Sequence, residues 1–178
     1  WVCSCSDRSP WTEAVKRSLI TLKALTYRPT GGIVAAPTTS LPEVLGGSRN
    51  WDYRFCWLRD SAFMLTALTG AGFLEEAAAW RDWLVRAIAG SPDQVQIMYG
   101  LAGERLLTET ELPWLPGYAG SQPVRIGNGA AGQVQLDVLG EVVDALFQAH
   151  RHGLKASSPG WPLARAIMDH LDGTWRRP

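Results

Sequence analysis

Five stretches of the sequence carry apolar residues at helical spacing, and this periodicity constrains the fold more than any other feature. In each stretch the apolar side chains recur three or four positions apart, which places them on one face of an α-helix. The pattern predicts helices over residues 11–27, 58–69, 73–89, 130–152 and 161–174. The sequence therefore predicts an all-α fold in which nearly the whole chain is helical.

The links between the predicted helices are alternately short and long. Gly70 and Gly72 separate two helices that follow one another at once, whereas residues 112–129 form a long segment rich in Pro and Gly. Loops of that length inside a compact domain are usually functional. Residues 94–99 and 104–110 alternate in polarity and are predicted to pair as a small hairpin. This arrangement indicates stacked helical hairpins whose long links gather around a site.

Composition and charge limit the partners of the chain. Lys plus Arg and Asp plus Glu each total 17, so the formal net charge is zero. Nucleic acid is therefore not expected as a partner, because binding to a phosphate backbone needs clustered positive charge. The chain also lacks the run of about 18 apolar residues that a membrane-spanning helix needs. No association with a membrane is expected.

The cysteines and histidines do not predict a metal site or a cofactor. Cys3, Cys5 and Cys56 are odd in number and two of them lie one residue apart, which is a poor framework for disulfide bonds. Free thiols fit a reducing cytoplasm, so a cytoplasmic location is expected. The three histidines show no spacing that is typical of metal ligands.

Aromatic and charged side chains are concentrated in residues 50–60, at the start of the second predicted helix. Trp57, Arg59 and Asp60 lie close together there. A carboxylate and a guanidinium supply acceptors and donors for neighbouring hydroxyl groups, and an aromatic face covers the apolar side of a sugar ring. A structural ion pair between Arg59 and Asp60 at the helix N-terminus is the other interpretation. Composition alone favours this ion pair.

The Pro- and Gly-rich residues 113–128 are predicted to form a fixed loop with several polar and aromatic side chains. Taken alone, its Arg125 fits an anion as well as a sugar. Both this loop and residues 50–60 combine aromatic faces with polar groups, which is the usual composition of a small-molecule pocket. The residues expected around one concave site are Trp57, Arg59, Asp60, Trp114, Arg125 and Asn128.

Several motifs, taken in order, resemble the bacterial branch of glycoside hydrolase family 15, which includes glucoamylases, glucodextranases and trehalases. The resemblance extends from about Ser9 to the end of the chain. Its most specific element is Trp-x-Arg-Asp at 57–60. The motifs are GGIVAAPTTSLPE at 31–43, RNWDYRFCWLRD at 49–60, QIMYG at 96–100, GSQPVRIGN at 120–128 and QLDVLGE at 135–141. Leu139 departs from the family, which often has Tyr at this position.

The resemblance implies an (α/α)6 toroid, and residues 1–178 are expected to be the N-terminal half of its catalytic domain. It also implies an inverting mechanism in which one Glu protonates the leaving oxygen and another activates water. The family motif that carries the general acid lies beyond residue 178, and the general base lies further on. No catalytic residue is therefore expected within the chain.

By the same resemblance, Asp60 holds hydroxyl groups of the innermost sugar, with Arg59 beside it and Trp57 on the wall of the pocket. A carboxylate next to a guanidinium is a poor proton donor, which argues against a catalytic role for Asp60. Glu104, Glu109 and Glu111 lie on the predicted hairpin and are expected to be solvated.

Three hypotheses follow for the function. The first is a fragment of an exo-acting α-glucoside hydrolase, inactive alone, whose substrate is starch, dextran, isomaltose or trehalose. The second is a module that binds glucose or oligosaccharide without cleavage, and the third is a helical scaffold with a structural Arg59–Asp60 contact. In the first case, helix faces left uncovered by missing hairpins are expected to cause self-association.

Overall fold

A computed structural model of the chain describes residues 1–88, 92–155 and 160–176. Helices cover about half of these residues, so the all-α class is correct in outline, but the expectation of a nearly all-helical chain is wrong. Ordered loops and short strands form the rest. The helices of the described part are α1 (Thr12–Ala24), α2 (Leu58–Gly70), α3 (Leu74–Ala87), α4 (Val138–Arg151) and α5 (Gly160–Thr174).

The described residues contain three two-stranded antiparallel sheets, which join loop segments to one another. The pairs are β1 (Thr26–Tyr27) with β2 (Gly32–Ile33), β3 (Cys56–Trp57) with β4 (Met98–Tyr99), and β5 (Thr110–Glu111) with β6 (Arg125–Ile126). The predicted hairpin between 94–99 and 104–110 is therefore wrong. Met98 and Tyr99 are fully buried, and pairing with β3 places them in the core beside α2.

The predicted helix boundaries are accurate for three helices and too generous for two. α1 ends at Ala24 instead of residue 27 because the chain turns into β1. α4 begins at Val138, not at residue 130, because residues 129–132 form a 3-10 turn. Val134 and Leu136 are 87% and 94% exposed, so they add nothing to the buried face of α4. The predicted end of the third helix, residue 89, lies outside the described residues.

The hydrophobic core is centred on α2, which packs against α1, α3 and α4. Trp80 and Trp83 of α3 are fully buried, with their rings 6.5 Å apart. The Trp83 indole N–H donates to the carbonyl of Leu101 at 3.0 Å. These two tryptophans belong to the core and do not form a sugar-binding surface.

The first turn of α2 is held in place by the strand that precedes it. β3 leads directly into α2, and the backbone N–H of Leu58 donates to the carbonyl of Ile97 at 2.9 Å. Leu58 and Cys56 are fully buried, so the helix start cannot shift without disturbing the core. Asp60 lies in this first turn, where the partial positive charge of a helix N-terminus stabilises a carboxylate.

Candidate functional site

A cavity of about 530 Å³ lies beside the first turn of α2. Its walls come from the segment that leads into α2, from α2 itself, and from the loops that precede α4. Three aromatic rings, two carboxylates, one guanidinium and three side-chain amides are among the groups that line it. The lining residues are Ala35, Trp51, Tyr53, Trp57, Arg59, Asp60, Glu109, Asn128, Gly129, Ala130, Gln133 and Gln135.

The structure brings four of the six predicted site residues together and leaves two outside. Trp57, Arg59, Asp60 and Asn128 line the cavity. Trp114 does not line it and is 72% exposed on the loop between β5 and β6. Of the six residues expected around one concave site, Trp114 and Arg125 therefore lie outside this cavity.

Arg125 is buried and its guanidinium is occupied by the protein itself. Nη1 donates to the carbonyl of Ser48 at 2.9 Å, and the guanidinium lies 4.6 Å from the centre of the Trp51 ring. Nη2 donates to Glu111 at 3.1 Å, and Nε is 3.3 Å from Oε1 of Glu109. With these partners, Arg125 supports the loops behind the cavity instead of lining it.

Asp52 links the segment before α2 to the loop before α4. Its fully buried carboxylate accepts from Nε and Nη2 of Arg54 at 2.9 and 2.8 Å and from the backbone N–H of Gly127 at 3.1 Å. The hydrogen bond to Asp52 raises the pKa of Arg54. Gly127 has a φ of +76°, and a Cβ there would lie 1.9 Å from the carbonyl oxygen of Thr108, so the position requires glycine.

Asn128 fixes the loop before α4 that contributes to the cavity wall. Its Nδ2 donates to the carbonyl of Asp52 at 3.0 Å, and its Oδ1 accepts from the N–H of Ala130 at 3.0 Å. The second bond caps the 3-10 turn Gly129–Gly132. Because both polar atoms are bonded to the protein, Asn128 shapes the cavity wall more than it offers free groups to a ligand.

Arg59 is paired with Asp137, the residue before α4, and not with its neighbour Asp60. Its Nη1 donates to Oδ2 of Asp137 at 3.1 Å, and this hydrogen bond is the main cause that lowers the pKa of Asp137. A structural ion pair therefore exists at the start of α2, but with a different partner from the one expected. The Asp60 carboxylate has no hydrogen-bond or ion-pair partner in the described part of the chain, although it lines the cavity.

Sequence reasoning missed several residues of the cavity. Trp51 and Tyr53 lie in the motif around Trp57, and the Tyr53 and Trp57 rings are 6.5 Å apart. Their position in an aromatic-rich motif was an available signal. Glu109, expected to be solvated, lies on the cavity wall, and Gln133 contributes from the segment wrongly assigned to a helix. The partners of Glu109 are distant in sequence, so no local pattern indicated its position.

Two other findings concern the described residues alone. No group of three or more His, Cys, Asp or Glu side chains is placed to hold a metal ion there. None of the helices found there has the length and apolar character that crossing a bilayer requires.

Comparisons with known proteins give the chain its family. A sequence model described as "Glycosyl hydrolases family 15" matches residues 10–178. A trehalase of Mycolicibacterium smegmatis is 42% identical over 172 residues, which are 95% of this chain and 26% of that protein. A trehalase of Thermoplasma volcanium is 38% identical over 178 residues, 100% of this chain and 28% of that protein.

Trehalase 2 of Sulfolobus acidocaldarius is 39% identical over 172 residues, 94% of this chain and 30% of that protein. The chain thus spans between a quarter and a third of the length of these relatives. No solved structure gives a significant match. The match of the family model over nearly the whole chain means that the chain belongs to glycosyl hydrolase family 15.

Proposed function

We propose that this chain is part of the catalytic domain of an exo-acting α-glucoside hydrolase, with trehalose as the first substrate to test. The observation that carries the proposal is the cavity in which Asp60, beside Arg59 and Trp57, has no side-chain partner among the described residues. The family match and the relatives named trehalases support the reaction class and the choice of trehalose.

Each of these three side chains has a role that its surroundings support. The Asp60 carboxylate retains its full acceptor capacity for sugar hydroxyl groups, since no side chain of the described residues donates to it. Arg59 presents donor N–H groups beyond the one used by Asp137. Trp57 and Tyr53 provide rings against which the apolar face of a sugar packs.

The chemistry of bond cleavage is proposed to come from two Glu residues outside this chain. In inverting glycosidases the two carboxyl groups stand roughly 6.5–9.5 Å apart, with water between one of them and the sugar. Residues 1–178 would then be the N-terminal half of an (α/α)6 toroid. They would bind the sugar unit that is released, while the remaining hairpins complete the barrel and supply the general acid and base.

The location and associations of the chain are also proposed. Cys5 and Cys56 are buried free thiols, and burial raises the pKa of Cys56 to about 12, which keeps it protonated and unreactive. Such thiols fit a reducing cytoplasm. The formal net charge of zero argues against nucleic acid as a partner, and a glucose-containing disaccharide or oligosaccharide is the proposed ligand.

The test uses the longer protein that contains this chain. Glucose release from trehalose, maltose and isomaltose is measured for the unmodified protein and for Asp60→Ala, with circular dichroism to check the fold. We expect turnover of at least one disaccharide and a loss of about 100-fold or more in Asp60→Ala, because a charged hydrogen bond to the substrate disappears. A longer protein that binds these sugars but releases no glucose would instead be the non-catalytic binding module.

A further inference from the structure

We infer that Glu109 is a substrate-binding residue of the same cavity and accepts a hydrogen bond from a hydroxyl group of the bound glucoside. The inference rests on the proposed function, because it assigns a sugar as the ligand of the cavity. It adds a second carboxylate, contributed by the loop before β5, to the one that Asp60 contributes from α2.

One hydrogen bond and one ion pair hold the Glu109 carboxylate. Its Oε2 accepts from the backbone N–H of Gly129 at 3.0 Å, and its Oε1 lies 3.3 Å from Nε of Arg125. Gly129 begins the 3-10 turn that Asn128 caps, so its N–H is itself held in place. The side chain is 29% exposed and lines the cavity.

Arg125 is a rigid support for this carboxylate. The guanidinium is bonded to the carbonyl of Ser48 and lies against the ring of Trp51, and its side chain is only 11% exposed. This buried guanidinium gives the Glu109 carboxylate a charge partner in the absence of a ligand. A binding group that is already placed loses less entropy when the ligand arrives.

Glu109 retains unused acceptor capacity. An ionised carboxylate has about four lone-pair sites, and each oxygen of Glu109 has one protein partner. Donation from a sugar hydroxyl to an ionised acceptor is among the stronger hydrogen bonds in a binding site. Asp60 and Glu109 then supply two acceptors in one cavity, which suits a ligand that has hydroxyl groups on several sides of its ring.

The competing explanation is that Glu109 only neutralises Arg125. Glu111 allows the two explanations to be separated, because it also forms an ion pair with Arg125, at 3.1 Å. Its side chain is 60% exposed, and it does not line the cavity. If both carboxylates only neutralise Arg125, the loss of either charge should change ligand affinity to a similar extent. If Glu109 binds the ligand, only the loss of the Glu109 charge should weaken binding.

The experiment compares Glu109→Gln with Glu111→Gln in the longer protein that contains this chain. The dissociation constant for trehalose is measured by calorimetry, and kcat and KM are measured by glucose release. We expect Glu109→Gln to weaken binding by about 10-fold and Glu111→Gln by less than about 2-fold. Equal effects of the two substitutions would overturn the inference.

Sugars that lack one hydroxyl group add a readout that does not depend on folding. The unmodified protein and Glu109→Gln are tested with monodeoxy analogues of trehalose. For one analogue, we expect the affinity of the unmodified protein to be about 10-fold lower than for trehalose. In Glu109→Gln we expect little difference between that analogue and trehalose, because removing the hydroxyl group and replacing the carboxylate abolish the same hydrogen bond. Additive losses for every analogue would overturn the inference. If Glu109→Gln does not fold, Glu109→Asp replaces it in the same comparison.

The outcomes separate this inference from the proposed function. A protein that binds trehalose through Glu109 but releases no glucose would overturn the hydrolase proposal and support the inference. If the protein hydrolyses trehalose, and Glu109→Gln and Glu111→Gln bind trehalose with the same affinity, the hydrolase proposal is supported and the inference is overturned. A protein that binds none of the tested glucosides would overturn both.

Discussion

Two cavities among the described residues are of nearly equal size and opposite character. The cavity beside α2, of about 530 Å³, is lined by charged, amide and aromatic groups. The groove between α4 and α5, of about 510 Å³, is mainly apolar. Side chains from both helices form its floor: Val143, Leu146, Phe147, Trp161, Ala164 and Met168.

The two cavities also differ in how their walls are held. Loops that are cross-linked through the buried residues Asp52 and Arg125 form much of the polar cavity. Two helices that pack side by side form the apolar groove, where Phe147 and Met168 remain 55% and 51% exposed. Fixed polar groups suit a small polar ligand, whereas an open apolar surface suits contact with more protein. The following predictions test that distinction.

The largest expected effect is the absence of catalysis when the chain, with its polar cavity, is separated from the longer protein. The isolated 178-residue chain is expected to release no measurable glucose from trehalose, maltose or isomaltose, while the longer protein does. General acid and general base catalysis each contribute typically about 10²–10⁴-fold, and both groups are proposed to lie outside the chain. Clear turnover by the isolated chain, lost in Asp60→Ala, would show that the catalytic carboxylates are in this cavity.

The second effect concerns the hydrogen bonds that build the polar cavity. Asp52→Ala is expected to lower the free energy of unfolding by about 2–4 kcal/mol, because the backbone N–H groups of Arg54 and Gly127 lose their carboxylate partner. Asp82→Ala is the matched control, since Asp82 is 54% exposed and, among the described residues, is paired only with the adjacent Arg81; it is expected to cost less than about 0.5 kcal/mol. Urea denaturation followed by circular dichroism measures both, and equal midpoints would contradict the prediction.

Local motifs and helices are the part of this fold that the sequence predicts well, and strand pairing is the part that it does not. The motif around Trp57 and Asp60 was identifiable because its residues are close in sequence and begin a helix with a clear apolar stripe. The helices themselves were predictable for the same reason. Pairing of β3 with β4, and of β5 with β6, depends on contacts between distant segments, and the incorrect hairpin followed from assuming a local partner.

Arg125 and Glu109 show the same limit within the site. The composition of a Pro- and Gly-rich loop is the same whether its arginine faces a ligand or supports the loop. Only the positions of Ser48, Trp51 and Glu111 reveal the supporting role of Arg125. Glu109 was predicted to be solvated because it lies on the predicted hairpin, and its partner Arg125, far along the chain, gave no local signal.

The third effect concerns the apolar groove. We expect the isolated chain to self-associate through this surface, and Phe147→Ser to weaken the association by about 10-fold, since burying a Phe side chain contributes roughly 1.5–3 kcal/mol. Phe63→Ser on α2 is the control: Phe63 is 57% exposed, close to the 55% of Phe147, but does not line the groove. Sedimentation velocity over a concentration series measures the association. Equal weakening by both substitutions would mean that the groove is not the contact surface.

The smallest effect concerns Trp114, which the sequence predicted in a sugar-binding site and which lies outside the polar cavity. Because Trp114 is 72% exposed and does not line the polar cavity, Trp114→Ala in the longer protein is expected to change the dissociation constant for trehalose by less than about 2-fold. Trp57→Ala removes a ring from the cavity wall and is expected to weaken binding by about 10-fold. Calorimetry with trehalose compares the two, and thermal unfolding checks that each variant is folded. A loss in Trp114→Ala as large as that in Trp57→Ala would mean that the loop between β5 and β6 contacts the sugar, and that the polar site extends beyond the cavity beside α2.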